Sequence, residues 1–586
     1  PDWPSLARTQ SAFVFRVQCL PNLCLYILFI LLCVFKSLTQ IDLLLHCRQH
    51  WGDFNTVMDP VPELTNHLKD LDLEPNDELH NERSSDFFNS VDVLIIGAGI
   101  AGLAAAQRLK DLNITNFHLL EGRDRIGGRI ATTTFQGVEV CKGPVYVHGH
   151  TNNIVANFAK QLGIAVHPQH PSDSWSRPFA ARTSSNGENI TDQVTASIQK
   201  QRAAMQKLLN TRIPPIDDSA ATVMAACGWD PISPADCAYD YVIYDLFNGL
   251  PARYVSVYAE QACSIFEADC SEYFFAEGDG YLRIVRHLAS NAGLVDTPSK
   301  LTLSTVVEKI VWGNATSDHT VEVHAMSNGV PSRWRAKHVI VAVPPTLLVP
   351  DHPSSTGNSA HISFEPPLPV NKQVALSHIT LADYCRVLVA YEYCFWDPVD
   401  VILRVDDLQP GSTKWKDNDQ HNGRKFSYWQ NLSNFMPGFK DKAVLCTVVT
   451  GYWADLCSKM TVEELSAEVG AAMASMYPMQ ASAAKKPLAV KFIRWKDDPF
   501  SLGAFAVALV GLNQLLESEL GSSIYAEGGS GGFLHFAGDA YRLDYLGTVQ
   551  GAYLSGSAAA NEIARSILPK DVSVSNSAIK RYSVKQ

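Results

Sequence analysis

The chain lacks the cysteine spacing that metal knuckles and redox motifs need. Its 13 cysteines are odd in number and scattered. That excludes a disulfide framework and a zinc-type site, so no metal is expected. Positive charge is also short: 48 Lys and Arg stand against 60 Asp and Glu, a formal net charge of -12. A nucleic-acid partner needs clustered Lys and Arg to displace counterions, so that class is excluded. An acidic balance suits a cationic ligand, but many ordinary enzymes share it. There is no internal repeat. Long apolar runs are scarce, and the strongest is Cys19 to Phe35, flanked by Arg16 and Lys36. It sits at the short limit for a membrane span, roughly 17 residues, and also matches a signal-peptide core. An initiator is missing too: the chain opens on Pro1, and Met58 is the first methionine. The preferred reading is that residues 1–57 are an upstream translated or mis-assigned segment and that a cytoplasmic protein starts at Met58. The rival reading makes residues 19–35 a genuine signal or anchor, hence a secretory or membrane-anchored protein. Residues 59–90 are polar and acidic and are expected to be a disordered lead-in, completing an N-terminal extension over 1–90. Sequons at Asn113, Asn189, Asn314 and Asn431 matter only on the secretory reading.

What is present points to a large core. With 586 residues, 46% hydrophobic and 18% charged, two or more domains are expected. Val91 to Ile96 is a β-branched apolar run of the buried parallel-strand type. It ends at Gly97. Ala101 to Leu109 reads as a helix, and Asn116 to Glu121 as a second strand. His338 to Val343 is another buried strand, stopped by Pro344-Pro345. Leu534 to Ala537 is a third, followed by Gly538-Asp539 and a helix from about Gly547 to Ile563. Helices are also expected over Val194–Leu209 and Val462–Met476. Surface loops are expected at Pro171–Glu188, His352–Ser359 and Asp406–Arg424.

The segment Gly97-Ala98-Gly99-Ile100-Ala101-Gly102 carries the cofactor chemistry. Gly97 permits the tight turn, Gly99 lets the backbone approach a pyrophosphate, and Gly102 lets the helix pack on the sheet. The helix N-terminus offers free N–H groups and a positive dipole end. Glu121, at the end of the second strand, stands where an acid binds ribose hydroxyls and disfavours a 2′-phosphate. Arg125-Ile126-Gly127-Gly128-Arg129 follows. Gly128 again allows close approach, and Arg129 supplies charge for a pyrophosphate. At the other end of the chain, Asp539 after Gly538 is placed to accept from a ribityl hydroxyl. The helix start at Gly547-Thr548-Val549 can turn its dipole toward a reduced flavin. The dinucleotide is therefore read as FAD.

In these residues the chain resembles the flavin amine oxidase family, especially polyamine oxidases. The resemblance runs from about Val91 to Ile567. It rests on Glu121-Gly122-Arg123-Asp124-Arg125-Ile126-Gly127-Gly128-Arg129, Val147-His148-Gly149, and Thr305-Val306-Val307-Glu308-Lys309-Ile310. It continues through Arg494-Trp495-Lys496-Asp497-Asp498-Pro499-Phe500 and Gly503-Ala504-Phe505. It closes on Phe536-Ala537-Gly538-Asp539 and Gly547-Thr548-Val549-Gln550-Gly551. The fold implied is an α/β FAD-binding domain, Rossmann-like and of the glutathione-reductase type, discontinuous in sequence, with an inserted α+β substrate domain. Residues 91–168, 275–346 and 490–567 are assigned to the first, 169–274 and 347–489 to the second, and 568–586 to a C-terminal tail. Arg123, Val307 (against the adenine) and Trp495 (beside the flavin) join the cofactor set by resemblance. Phe505, Tyr545, Thr548 and His148 form the expected substrate walls.

The chemistry implied is hydride loss from the carbon beside an amine nitrogen to the flavin, with dioxygen reduced to hydrogen peroxide. The implied partners are a small-molecule amine and dioxygen, in a monomer or homodimer. Three departures qualify this. Arg386 takes the position where the family carries a lysine that holds a water near the flavin. It can donate hydrogen bonds but not act as a base. Phe247 and Leu250 replace acidic residues expected after Asp240-Tyr241-Val242-Ile243-Tyr244-Asp245, which weakens the case for a polycation. Ala504 stands where monoamine oxidases carry a flavin-linking cysteine, so the FAD is expected to be noncovalent. The catalytic pair is read as Arg386 and His148. The alternative functions are a catalytically impaired FAD-binding scaffold and a histone-lysine demethylase relative.

Overall fold

The computed structural model describes residues 88–149, 153–167, 178–210, 217–263, 272–313, 320–350, 360–406, 425–525 and 533–568. The chain divides into two units, Pro1–Ser85 and Asp86–Gln586, and all described residues belong to the second. The apolar run 19–35, the start at Met58, most of the lead-in, the Asn314 sequon, the loops at 352–359 and 407–424 and the tail from 569 lie outside the described residues. The lead-in stops earlier than expected. Asn89 and Ser90 already pair with Trp334 and Arg335 at the start of the first strand.

That strand, Asn89–Ile96, is the centre of a nine-stranded sheet. Its neighbours are Phe117–Leu120 on one side and Val330–Val341 on the other, both parallel to it. Phe533–Phe536 extends the parallel set beyond Val330–Val341. The side-chain period of two decides the packing. Val93 and Ile95 join one apolar cluster with Leu103, Leu109, Ile284, Leu288 and Ile563. Leu94 and Ile96 join another with Val307, Val339, Val341 and Leu534. The strand is buried on both faces, as its unbroken apolar run requires, and each such Ile or Leu contributes roughly 1.5–3 kcal/mol.

Val330–Val341 is longer than its apolar half. Its polar start, Val330 to Ala336, pairs antiparallel with Val321–Ser327, where its outer face reaches water. The helices Ile100–Asp111 and Val549–Ile567 cross at backbone contact. A Cβ on Gly556 would lie 2.0 Å from the Ala101 carbonyl oxygen. Arg108 Nε donates to Asn561 Oδ1 at 2.7 Å across the same crossing.

A second, six-stranded sheet runs in the order Ala489–Arg494, Tyr384–Tyr391, Ala443–Thr450, Tyr428–Asn431, Val401–Val405 and Phe179–Thr183. It corrects one expectation. Residues 171–188 are not all loop, because Phe179–Thr183 pairs parallel with Val401–Val405. Arg182 disguises this strand, since its charge is met by Asp397 at 2.6 and 2.7 Å and it lies over the Tyr477 ring. Two expected domain limits also shift. Ser363–Glu365 joins the nine-stranded sheet beside Thr305–Val311, and Ala489–Arg494 joins the six-stranded one beside Tyr384–Tyr391. Trp495, just after Ala489–Arg494, lines the same cavity as the glycine turn.

Candidate active site

A single cavity of about 950 Å³ is lined by the glycine turn, Glu121, Arg123, Gly128, Arg129, Val307 and Trp495. Its wall also includes His148, Arg386, Phe505, Gly538, Asp539, Tyr545, Thr548 and Val549. Apart from Gly102, which supports the turn from behind, every catalytic, cofactor-binding and substrate residue expected from the sequence lines this cavity.

The glycines divide by task. Gly97 adopts φ +102°, and a Cβ there would lie 2.6 Å from the Ala342 oxygen. At Gly102 a Cβ would lie 1.9 Å from the Gly97 oxygen. Both are therefore required by the protein's own packing. Gly99 differs, because a Cβ there would come no nearer than 4.0 Å, to Gly128 Cα. The space beside Gly99 is a cradle that a side chain would fill. Glu121 is 3% exposed and braces this turn. Its Oε2 accepts from Ala98 N–H at 2.7 Å and its Oε1 from Arg123 N–H at 2.9 Å. A carboxylate has about four acceptor sites, so capacity remains for ribose hydroxyls.

Arg129 and Asp539 form a bidentate pair, with Nη2–Oδ1 at 2.6 Å and Nη1–Oδ2 at 3.0 Å. Each had been assigned its own cofactor contact, and the pairing makes them one unit. Asp539 Oδ2 also accepts from Ala506 N–H at 3.0 Å, and Arg129 donates to the Ala504 carbonyl at 3.1 Å. Arg123 lines the cavity but is engaged elsewhere. It donates to Asp498 Oδ1 at 2.5 Å and Ser501 Oγ at 2.8 Å, and lies over the Phe500 ring. Val307 is buried in Thr305–Val311, just before a bulge. Trp495 donates its indole N–H to the Lys142 carbonyl at 3.1 Å. Gly538 N–H donates to Ser555 Oγ at 2.9 Å, which fastens the turn to the helix Val549–Ile567.

Thr548 is the N-cap of that helix. Its Oγ1 accepts from Gly551 N–H at 2.9 Å and donates to the Tyr545 carbonyl at 2.8 Å. Its hydroxyl is thus committed to capping, and its methyl group is what remains for a wall. Phe505 meets Tyr384 edge-on, with centroids 5.6 Å apart. His148 ends the short strand Tyr146–His148, its ring stacked 5.9 Å from Tyr146 and its carbonyl accepting from Asn153 Nδ2 at 2.5 Å. Arg386 is 5% exposed and lies on Tyr384–Tyr391, the strand next to the Ala489–Arg494 edge of the six-stranded sheet. Its Nη1 donates to the Cys141 carbonyl at 2.7 Å, while its buried Nε has no hydrogen-bond partner among the described residues.

Several cavity residues escaped sequence reasoning. Tyr384, Lys142, Asn248 and Glu260 all line it. Lys142 sits over the Trp495 ring with Nζ 5.1 Å from its centre. Burial pushes the Glu260 carboxyl up to about 7, opposed by a hydrogen bond with Asn248. The sequence signal was slight: one acid in a short apolar helix that Ser256 caps.

The donor set fits an FAD. A helix N-terminus and the open cradle at Gly99 suit phosphates, Glu121 suits a ribose, and Asp539 with the Val549–Ile567 helix start faces the other end. The comparisons agree. Residues 100–564 match the family described as flavin containing amine oxidoreductase. Polyamine oxidase 1 of Zea mays is 25% identical over 488 residues, covering 79% of this chain and 88% of that protein. Lysine-specific histone demethylase 2 of Homo sapiens is 24% identical over 497 residues, but the match spans only 54% of it. Among solved structures, a putrescine oxidase shares the fold, with TM-score 0.60 and 19% identity over 81% of this chain and 99% of the other.

Proposed function

The chain belongs to the flavin containing amine oxidoreductases and its cofactor is FAD, and from that premise we propose that it is an oxidase of small amines, polyamines foremost, holding FAD noncovalently and releasing hydrogen peroxide. Bound FAD supplies a two-electron acceptor for the hydride of the amine's α-carbon and a route for those electrons to dioxygen. The observation that carries the reading is the continuity of the cavity. The cradle of Gly99, Glu121, Arg129 and Asp539 opens directly onto walls of Phe505, Tyr384, Tyr545 and His148.

The residues then have definite tasks. The six-stranded sheet is the substrate domain, and it presents Tyr384 and Arg386 from one strand. Phe505 and Tyr545 form the aromatic walls that attract an amine cation and keep bulk water out. His148, when neutral, accepts from an amine N–H. Arg386 stays protonated, so it orients a water through N–H donors and takes no proton. The unpartnered Nε of Arg386 supports such a water. Ala504 offers no thiol to the flavin, which supports noncovalent binding.

The second reading is a flavin-binding scaffold without turnover. The arginine at position 386 is the specific observation that favours it. The test is peroxide release: the purified holoprotein is given spermine, N-acetylspermine, spermidine and simple monoamines in air. Amine-dependent peroxide, abolished by catalase, is the expected outcome. A flavin-loaded protein that yields none with any amine contradicts the proposal.

A further inference from the structure

Behind one wall of the cavity lies a smaller chamber of about 20 Å³, room for one small molecule. Pro144, Val145, Tyr281 and Arg386 line both spaces, so they form the partition between them.

The fold leaves this space for a local reason. Tyr384, Arg386 and Leu388 alternate along one strand, so their side chains share a face of the six-stranded sheet. That face is covered by the hairpin of Thr132–Phe135 with Val138–Cys141, by Phe274 and by the short helix Leu432–Phe435. The rings of Phe274 and Phe435 stack with centroids 4.6 Å apart and planes at 18°, and two flat rings do not fill a concave corner. The head of Arg386 is drawn aside to the Cys141 carbonyl at 2.7 Å. Val140, Leu432 and Met436 close the remainder.

The chemistry of the walls selects the occupant. Four lining residues carry side-chain nitrogen or oxygen: Glu277, Tyr281, Arg386 and Gln430. Tyr281 donates its hydroxyl to the Tyr146 carbonyl, Gln430 Nε2 donates to the Tyr146 hydroxyl, and Glu277 accepts from Arg283. Arg386 Nε is the one buried side-chain atom of the four without a hydrogen-bond partner among the described residues. An ordered buried water needs two to four polar partners, whereas a space walled mostly by carbon stays dry and takes up apolar guests.

We infer that this chamber is a binding site for dioxygen, apart from the walls that receive the amine. The inference rests on the flavin-oxidase reading. Dioxygen is small and uncharged, so carbon walls suit it, and a chamber of this size excludes the amine. At the partition it meets a guanidinium that stays charged at every working pH. Dioxygen takes a hydride equivalent from the reduced flavin and a proton from solvent, and leaves as hydrogen peroxide. Negative charge that builds on oxygen during the transfer is stabilised by a fixed cation in a water-poor setting. The arginine that cannot serve as a base is therefore suited to this half of the reaction, which calls for a permanent charge.

The test uses the full holoprotein, wild type, Leu432→Phe and Val140→Ile. Leu432→Phe fills the chamber from the side away from the partition; Val140→Ile adds one methylene and is the milder change should the first fail to fold. Crystals pressurised with krypton report occupancy without any turnover. The flavin is reduced by light and EDTA under nitrogen, with no amine present, and its reoxidation is followed against dioxygen concentration. Thermal midpoints and flavin content report folding. Krypton is expected in the wild-type chamber and is displaced in the filled variants. The second-order rate constant for reoxidation is expected to fall at least about fivefold in Leu432→Phe, and less in Val140→Ile. Krypton displaced with the reoxidation rate unchanged overturns the inference. So does a wild-type chamber that holds an ordered water and no krypton. Either result leaves amine oxidation standing. A protein that no amine reduces, yet whose light-reduced flavin is reoxidised more slowly once the chamber is filled, has the opposite meaning: the dioxygen site holds and the amine reading fails.

Discussion

Arg129 and Asp539 meet across the cavity although they lie 410 residues apart, with paired contacts of 2.6 and 3.0 Å. Arg129 follows the second strand of the nine-stranded sheet, and Asp539 follows Phe533–Phe536 at the far end of the chain. The pair also holds the Ala504 carbonyl and the Ala506 N–H. Three distant segments are thereby closed around one site, and a bidentate geometry fixes their orientation as well as their distance.

Asp539→Ala removes one partner of a largely buried pair and orphans the Ala506 N–H. The expected result is a stability loss of about 1–3 kcal/mol and a flavin affinity lowered by at least roughly tenfold. Asp539→Asn keeps an acceptor for Ala506 and loses less. Thermal midpoints with and without added FAD, together with the flavin absorbance of the purified protein, check both.

The glycine turn separates folding from cofactor binding. Gly99→Ala places its methyl group in open space, so the fold is expected to survive with its apo thermal midpoint nearly unchanged while FAD retention falls. Gly102→Ala drives a Cβ to 1.9 Å from the Gly97 oxygen. It is expected to lower the midpoint itself. Melting of the apo forms distinguishes the two, and equal damage from both would contradict this division of tasks.

Arg386→Lys exchanges a permanently charged donor fork for a titratable point charge. If Arg386 orients a water beside the flavin, the rate of anaerobic flavin reduction or of reoxidation changes by more than about threefold, with a new pH dependence. Identical rates and pH profiles in the variant would place Arg386 away from the reaction.

Two buried histidines set an acid limit. Burial pulls His118 and His338 down to about 4 from the ordinary 6.5. Between those values the unfolded chain binds more protons than the folded one, so stability rises with pH across that window and is lost as pH falls through it. At about pH 5 the loss is roughly 2 kcal/mol per histidine. The thermal midpoint is expected to be lower near pH 5 than near pH 7. His118→Gln, which keeps an amide for Thr302, should flatten that dependence.

What was legible in the sequence was local. Gly97, Gly99 and Gly102 need only their neighbours to be understood, and Glu121 follows at a spacing the strand and helix dictate. The expected helix Val462–Met476 is found, and Thr461 and Glu464 form a capping box at its start. The Arg129–Asp539 pair was not legible, because nothing local links positions that far apart. The strand Phe179–Thr183 was hidden by Arg182, whose compensating Asp397 lies elsewhere in the chain. Glu260 was missed because the acids were sought at Phe247 and Leu250, in the turn between the segment Val242–Leu246 and its own helix. Its meaning depends on which side of a short helix meets the cavity.

The central claim is amine oxidation at the flavin held between the glycine turn and Asp539. Its most direct measurement is anaerobic mixing of the yellow holoprotein with spermine, N-acetylspermine, spermidine and simple monoamines, followed through the flavin spectrum. The account predicts bleaching by at least one of these amines, and recovery of the oxidised spectrum when air is admitted. A flavin that stays bound and oxidised across the whole panel would contradict it.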